Sequence, residues 1–100
     1  HAVIDPDTII KDNSIISFQV GVCHATSIGK HCFLAPGSLL GAYTSLQDYV
    51  FMGMRAVAIS GKVNSIGHHA YIGANALLTK PVESESIMIG SPAHIYQPNE

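Results

Sequence analysis

The sequence carries little charge, and cations are its scarcest charged residues. Charged residues make up 12% of the 100 residues, and only five are Lys or Arg, so the formal net charge is −2. An average soluble domain has about twice that share of charge. A chain so poor in cations lacks the basic surface needed to bind nucleic acid or an anionic membrane. No apolar run approaches the ~20 residues of a membrane span. We therefore expect neither partner.

Cysteines are also few, since Cys23 and Cys32 are the whole complement. Two cysteines do not make a disulfide framework, so reduced thiols and a cytoplasmic location are expected. The first residues, His1-Ala2-Val3, have neither the basic start nor the hydrophobic stretch of a signal peptide. The absence of an initiator Met is compatible with a piece cut from a longer protein.

What the sequence does contain is a six-residue repeat. Counting in sixes from Ile4 gives ten apolar residues in a row: Ile4, Ile10, Ile16, Val22, Ile28, Leu34, Leu40, Leu46, Met52 and Ala58. Because 47% of the chain is hydrophobic, such a run has a chance probability of roughly one in a thousand. The position two residues earlier, from Ala2 to Ala56, is always small or β-branched. The apolar positions and the small positions thus form two columns that share one six-residue frame, and together they establish the repeat.

A repeat of six residues suits one short strand followed by one sharp corner. Three such units close a triangular coil of about 18 residues, and coils stack about 4.8 Å apart through parallel ladders. The large aliphatic column fills the interior, and the small column lies where the interior is narrowest. A period of six gives no continuous helical stripe. The pattern predicts an all-β, single-domain parallel β-helix.

The repeat slips once, after Ala58. The aliphatic column resumes at Ile66, so two extra residues are expected to bulge out within Ile59–Ser65, at Ser60-Gly61 or at Asn64-Ser65. A corner bulge of this size either lines a ligand groove or is a tolerated surface insertion. Both interpretations stay open.

The end of the repeat is predicted at Thr79-Lys80-Pro81. Pro81 cannot donate a hydrogen bond to a ladder, so regular stacking is expected to stop there. This divides the chain into a β-helical domain, residues 1–80, and a C-terminal capping segment, residues 81–100.

Four segments of the chain carry a resemblance to a known family: Val22–Gly29, Phe33–Gly37, Tyr71–Val82 and Ile89–Ala93. In these segments the chain resembles the C-terminal domain of the sialic acid O-acetyltransferase-like sugar acetyltransferases, within the hexapeptide-repeat acyltransferase superfamily. The resemblance implies a left-handed parallel β-helix that forms a homotrimer. It also implies acetyl-CoA as the acyl donor, lying between adjacent β-helices, and a role in bacterial sugar biosynthesis.

His24 is the predicted catalytic residue. Acetyl transfer from a thioester to a hydroxyl or amine needs a general base near neutral pH, and histidine fits that task. His24 lies two residues past Val22, so it is expected to project from a corner. It matches the family's catalytic histidine, but Cys23 and Ala25 stand where the family has acidic neighbours.

The resemblance also assigns residues to the cofactor. It implies that Gly53-Met54 and Gly73-Ala74 border the pantetheine groove, and that Thr79 and Lys80 lie nearer the nucleotide. Phe33 replaces a second histidine that contacts the cofactor, and His94 replaces an Arg or Lys near the phosphates. For the glycines and Lys80, the alternatives are corner geometry and a solvated surface charge.

The implied function is transfer of an acetyl group from acetyl-CoA to a hydroxyl or amine of a sugar or nucleotide-sugar. One rival is a β-helix that only trimerises, with a decayed site, which the missing carboxylates beside His24 favour. Another is a zinc enzyme like γ-class carbonic anhydrase, for which the available histidines are His31, His68 and His69. Adjacent corner side chains such as His68 and His69 are expected to diverge, so no metal site is predicted.

Overall fold

The computed structural model describes residues 2–97, which form a parallel β-helix of very short strands with no helix among them. The strands are β1 (Val3–Ile4), β2 (Ile9–Ile10), β3 (Ile15–Ile16), β4 (Gly21–Val22), β5 (Ser27–Ile28), β6 (Phe33–Leu34), β7 (Leu39–Leu40), β8 (Ser45–Leu46), β9 (Phe51–Met52), β10 (Val57–Ala58), β11 (Ser65–Ile66), β12 (Tyr71–Ile72), β13 (Leu77–Leu78), β14 (Ile87–Ile89) and β15 (His94–Ile95). Each aliphatic column residue from Ile4 to Ala58 ends a strand. The six-residue frame is therefore confirmed.

Three flat sheets form the sides of the coil, and the chain visits them in turn. Face A contains β1, β4, β7, β10 and β13; face B contains β2, β5, β8 and β11; face C contains β3, β6, β9, β12, β14 and β15. Neighbouring strands are parallel, apart from the antiparallel pair β14 and β15. Val22 pairs with Ile4 and Leu40 with Val22, so one coil takes 18 residues.

The interior is a stack of aliphatic side chains, as the repeat predicts. Leu34, Leu40 and Ile72 have no exposed surface, and full burial of such a side chain contributes about 1.5–3 kcal/mol. The small column supplies Val20, which is also buried. The first coil differs: Ile4 remains 45% exposed because no coil lies beneath it among the described residues.

The corners that join the faces stack in three columns along the coil, and most of them are two-residue turns. Corner 1 follows face A and contains Pro6-Asp7, His24-Ala25, Ala42-Tyr43, Ser60–Lys62 and Lys80; corner 2 follows face B and contains Asp12-Asn13, Lys30-His31, Asp48-Tyr49, His68-His69 and Ser84-Glu85; corner 3 follows face C and contains Phe18-Gln19, Pro36-Gly37, Met54-Arg55 and Ala74-Asn75. The second residue of most turns has a left-handed backbone, for example His31 with φ 58° and His69 with φ 60°. Gly53 precedes such a turn for another reason, because a Cβ there would lie 2.6 Å from the nitrogen of Ala74 in the next coil.

The predicted bulge lies on corner 1 at Ser60-Gly61, the first of the two proposed places. The backbone nitrogens of Lys62 and Val63 both donate to the carbonyl oxygen of Ile59, which closes the wider turn. Val63 then returns to the interior and is completely buried. The added residues lengthen one coil without interrupting the parallel pairing of β8 with β11.

Stacking continues beyond Pro81, so the expectation that it stops there is wrong. Pro81 lies just past corner 1, where no ladder donor is needed, and Val82 next to it donates to the carbonyl oxygen of Ser65. Ile87 then pairs in parallel with Tyr71. β15 turns back on β14 and covers this end. The division into residues 1–80 and 81–100 stays a prediction, and residues 1 and 98–100 lie outside the described residues.

Leu39 and Leu40 offer a matched test of this architecture, because neighbouring strand residues point to opposite sides. Leu40 is fully buried, whereas Leu39 is 40% exposed. We expect Leu40→Ala to lower the free energy of unfolding by about 2–5 kcal/mol. Leu39→Ala, measured at a concentration at which the chain is monomeric, should cost less than about 1 kcal/mol. Urea unfolding monitored by circular dichroism measures both, and equal losses would contradict the assignment of the interior.

Candidate active site

His24 projects from corner 1 with its imidazole exposed, as the sequence predicts for a corner residue. Its ring meets the ring of Tyr43 from the next coil edge to face, with centroids 5.2 Å apart and an interplanar angle of 83°. The backbone beneath is fixed, since the carbonyl oxygen of His24 accepts the N–H of Tyr43 at 3.2 Å and the hydroxyl of Thr26 at 3.4 Å. His24 is therefore an accessible imidazole on a rigid turn.

Packing, and not a carboxylate, positions this imidazole. The flanking residues are Cys23 and Ala25, and within residues 2–97 the ring of His24 makes no hydrogen bond. The Tyr43 ring restricts its rotation by contact along one edge. Sequence reasoning missed Tyr43, although its position one coil and one residue after His24 was a usable signal.

Beyond His24 and Tyr43, the corner 1 column continues toward the C-terminal end of the β-helix through the bulge to Lys80. The bulge adds the exposed Lys62, and Lys80 is exposed in the coil above. Thr79 and Lys80 line a cavity of about 290 Å³, and His94 from β15 lies on the same cavity. Glu83 contributes a carboxylate to its rim. This cavity combines a cation, a hydroxyl and an imidazole, which are donors suited to a phosphate.

The other predicted cofactor residues lie on a different corner. Gly53-Met54 and Gly73-Ala74 occupy consecutive coils at corner 3, where Met54 accepts a backbone hydrogen bond from Asn75 at 2.8 Å. Met54 and Ala74 are exposed. Face A separates corner 3 from corner 1 within one chain. The predicted residues therefore form two groups that a single chain does not bring together.

Phe33 lies on the outer side of face C and begins an aromatic ladder. Its ring stacks on Phe51 at 5.5 Å, and Phe51 stacks on Tyr71 at 4.8 Å. The ladder follows the parallel register, which places the three rings above one another. Phe33 is thus part of a flat apolar surface beside corner 3.

The remaining corner histidines belong to corner 2. His31, Tyr49 and His69 form a continuous ring stack with centroid distances of 4.9 and 4.8 Å. The expectation that His68 and His69 diverge is wrong, because their Nδ1 atoms are 3.0 Å apart. Among residues 2–97, no cluster of three or more His, Cys, Asp or Glu side chains could hold a metal ion.

No family model matches the chain. It is 32% identical over 87 residues to a UDP-3-O-acylglucosamine N-acyltransferase of Methylobacterium nodulans, an alignment that covers 87% of this chain and 24% of that protein. An acyl-[acyl-carrier-protein]–UDP-N-acetylglucosamine O-acyltransferase of Pseudomonas putida is 25% identical over 87 residues, covering 87% of this chain and 33% of its own length. The chain thus spans about a quarter to a third of these relatives.

Solved structures share the fold. A hexapeptide-repeat-containing acetyltransferase from Vibrio cholerae has a TM-score of 0.77 at 18% identity, covering 96% of this chain and 69% of that one. The acetyltransferase domain of PglB from Neisseria gonorrhoeae, solved with acetyl coenzyme A, has a TM-score of 0.71 at 18% identity, covering 95% and 54%. The chain is thus a left-handed β-helix of about five turns. Its predicted resemblance to the hexapeptide-repeat acyltransferases is confirmed. Residues 2–97 contain no helix that could cross a membrane.

Cys32 permits a test of the small interior column. It is 2% exposed, and its Sγ lies 3.1 Å from the carbonyl oxygen of Gln47. Burial raises the pKa of the Cys32 thiol above its ordinary value of 9.0. The fold therefore favours the neutral thiol. The stability that this preference contributes is complete below pH 9.0 and is lost as the pH rises through the folded value.

We expect wild type to lose more unfolding free energy than Cys32→Ala between pH 8 and about pH 11, because only wild type must bury a thiol that ionises. Cys23→Ala, which alters the half-buried thiol at corner 1, is the control and should follow wild type. Urea titrations at each pH measure the difference. Parallel pH profiles for wild type and Cys32→Ala would contradict the burial of this side chain.

Proposed function

We propose that this chain is the acyl-transfer part of an acetyltransferase that moves an acetyl group from acetyl-CoA to a hydroxyl or amine of a sugar or nucleotide-sugar. The observation that carries the proposal is His24, an accessible imidazole held by Tyr43 on a rigid corner of an acyltransferase-like β-helix. The names of the relatives, an N-acyltransferase and an O-acyltransferase of UDP-linked glucosamines, support a nucleotide-linked amino sugar as the acceptor. Free thiols at Cys23 and Cys32 support a reducing cytoplasm as its location.

The active unit is proposed to be a homotrimer. The outer sides of faces A and C are apolar, with Leu39 40% and Tyr71 50% exposed, whereas face B presents Ser27, Ser45 and Ser65. We place face A toward the threefold axis, with the edge of face C at corner 3 packed against the neighbouring chain, which removes apolar surface of both faces from water. Corner 1 of one chain then lies beside corner 3 of the next, and this would bring together the two groups of residues.

In this arrangement, His24 acts as general base. Its imidazole takes the proton of the acceptor hydroxyl or amine as that atom attacks the thioester carbonyl carbon. Backbone N–H groups of the corner turns supply donors for the oxyanion that forms. As the carbon–sulfur bond breaks, the imidazolium of His24 returns the proton to the leaving sulfur. No covalent enzyme intermediate is needed. Gly53-Met54 and Gly73-Ala74 of the neighbouring chain border the pantetheine.

Lys80, Thr79 and His94 are proposed to hold the phosphates of the donor, because they line one cavity and are all hydrogen-bond donors. Lys80→Ala should raise KM for acetyl-CoA roughly three- to tenfold and leave kcat within about twofold. The matched control is Lys30→Ala, an exposed lysine on corner 2. Steady-state kinetics measure both, and an unchanged KM in Lys80→Ala would remove this cavity from the donor site.

His24→Ala should lower kcat about 10²–10⁴-fold, the contribution typical of a general base. The measurement is thiol release from acetyl-CoA with UDP-linked amino sugars as acceptors. His31→Asn is the control, because His31 is also an exposed corner histidine but belongs to corner 2. Turnover in His24→Ala equal to that of wild type would exclude His24 as the base.

A catalytically decayed trimerisation domain is the second candidate, and the absence of an acidic neighbour beside His24 favours it. The two proposals differ in the role of Tyr43. If the site is active, Tyr43→Phe should retain kcat within about threefold because the ring contact persists, and Tyr43→Ala should lose at least about tenfold. A trimer without any turnover in wild type would support decay.

A further inference from the structure

His68 and His69 on corner 2 form a convergent pair that the proposed acyl transfer does not use. Their Nδ1 atoms are 3.0 Å apart, and the two rings are perpendicular. At this distance a hydrogen bond joins the two rings when one Nδ1 carries a proton and the other does not. When both rings carry their proton on Nε2, both Nδ1 atoms present a lone pair, and two imidazole nitrogens 3.0 Å apart can bind one transition metal.

From this pair we propose that corner 2 carries a surface site for a divalent transition metal with tetragonal geometry, Cu²⁺ or Ni²⁺. Two metal–nitrogen bonds of about 2.0–2.1 Å to atoms 3.0 Å apart enclose roughly 91–97° at the metal. A tetrahedral Zn²⁺ site would need nitrogens roughly 3.3–3.4 Å apart. An angle near 90° is the preference of Cu²⁺ and Ni²⁺, and Cu²⁺ binds such ligands most tightly.

The pair is held in place by its neighbours. The N–H of His68 donates to Oε1 of Gln47 at 3.0 Å, and the N–H of His69 donates to the carbonyl oxygen of Asp48 at 3.0 Å. Tyr49 stacks on the His69 ring at 4.8 Å and 12°. A chelate whose rings are already oriented loses less entropy on binding. In the bound state both rings carry their proton on Nε2, which leaves both Nδ1 atoms free to bind the metal; a ring that carried its proton on Nδ1 shifts it to Nε2 through solvent, so no proton is released overall.

Space for the other metal ligands is present. His68 and His69 line a cavity of about 460 Å³ together with Gln47 and Asp48. Water molecules can complete the coordination there, because no third His, Cys, Asp or Glu joins the pair among residues 2–97. Lys11 also lines this cavity, and its positive charge disfavours a bound cation. The negative charge of Asp48 offsets that of Lys11. The chain therefore supplies two ligands, and the site remains open to solvent.

Titration with Cu²⁺, followed by calorimetry and electron paramagnetic resonance, tests the site. All proteins carry His1→Ala, which removes one imidazole outside corner 2 that could add a Cu²⁺ ligand. We expect one Cu²⁺ per chain with two imidazole nitrogens in the resonance spectrum, and weaker binding of Ni²⁺ and Zn²⁺ in that order. Mg²⁺ should not compete.

His68→Ala and His69→Asn should each weaken Cu²⁺ binding at least about tenfold and leave a single-nitrogen spectrum. Asparagine is used at position 69 because it tolerates the left-handed backbone there. His31→Asn, the same change at the equivalent corner residue two coils below, should keep the affinity within about threefold. Circular dichroism verifies the fold of each variant. Binding that survives both substitutions, or a wild-type spectrum with one nitrogen, would overturn the proposal, whatever the outcome of the acyl-transfer assays.

Discussion

The parallel backbone ladder between successive coils is the constraint on which the rest of the structure depends. Each strand is only two or three residues long, so no strand is stable alone, and the ladder donors find their acceptors one coil away, as Gly41 does on the carbonyl oxygen of Ala58. The ladder keeps an 18-residue register in the first coils, and it adjusts across the bulge, where Val57 pairs with Leu77, and in the last coil, where Tyr71 pairs with Ile87. Equivalent side chains therefore stack directly above one another, and a column of the sequence becomes a column in space. The interior, the aromatic ladder and the three corners all follow from this register.

Function on such a scaffold lies at the corners, because the interior is filled and the faces are flat. His24 and Tyr43 meet on corner 1, whereas Gly53-Met54 lies on corner 3 and His68-His69 on corner 2. One chain thus presents three chemically different columns. The proposed acyl transfer needs two of them from neighbouring chains, and the third is free for the proposed metal site.

Much of the fold was predictable from the sequence because the repeat is local. Ile28 and Leu34 could be assigned to the interior by counting alone, and a bulge within Ile59–Ser65 by a slip of the count, which left Ser60-Gly61 and Asn64-Ser65 as alternatives. Continued stacking after Pro81 was not predictable. A proline interrupts a ladder only where its position needs a backbone donor, and Pro81 lies just past corner 1, before Val82 donates to the carbonyl oxygen of Ser65.

The site was less accessible to sequence reasoning. His24 could be placed on a corner from its distance to Val22, but its contact with Tyr43 depends on side-chain orientation across coils. The convergence of His68 and His69 depends on a turn with a left-handed residue, which a six-residue count does not describe. Spacing predicts which face or corner a residue occupies, whereas contacts between corner side chains require the geometry of the turns.

A crystal structure of the chain with bound coenzyme A is the most direct test of the central claim, that corner 1 of one chain works with corner 3 of its neighbour. We expect a trimer in which the coenzyme sulfur lies beside the His24 imidazole while the pantetheine follows Gly53-Met54 and Gly73-Ala74 of the adjacent chain. A coenzyme bound within a single chain, or with its sulfur remote from His24, would contradict it.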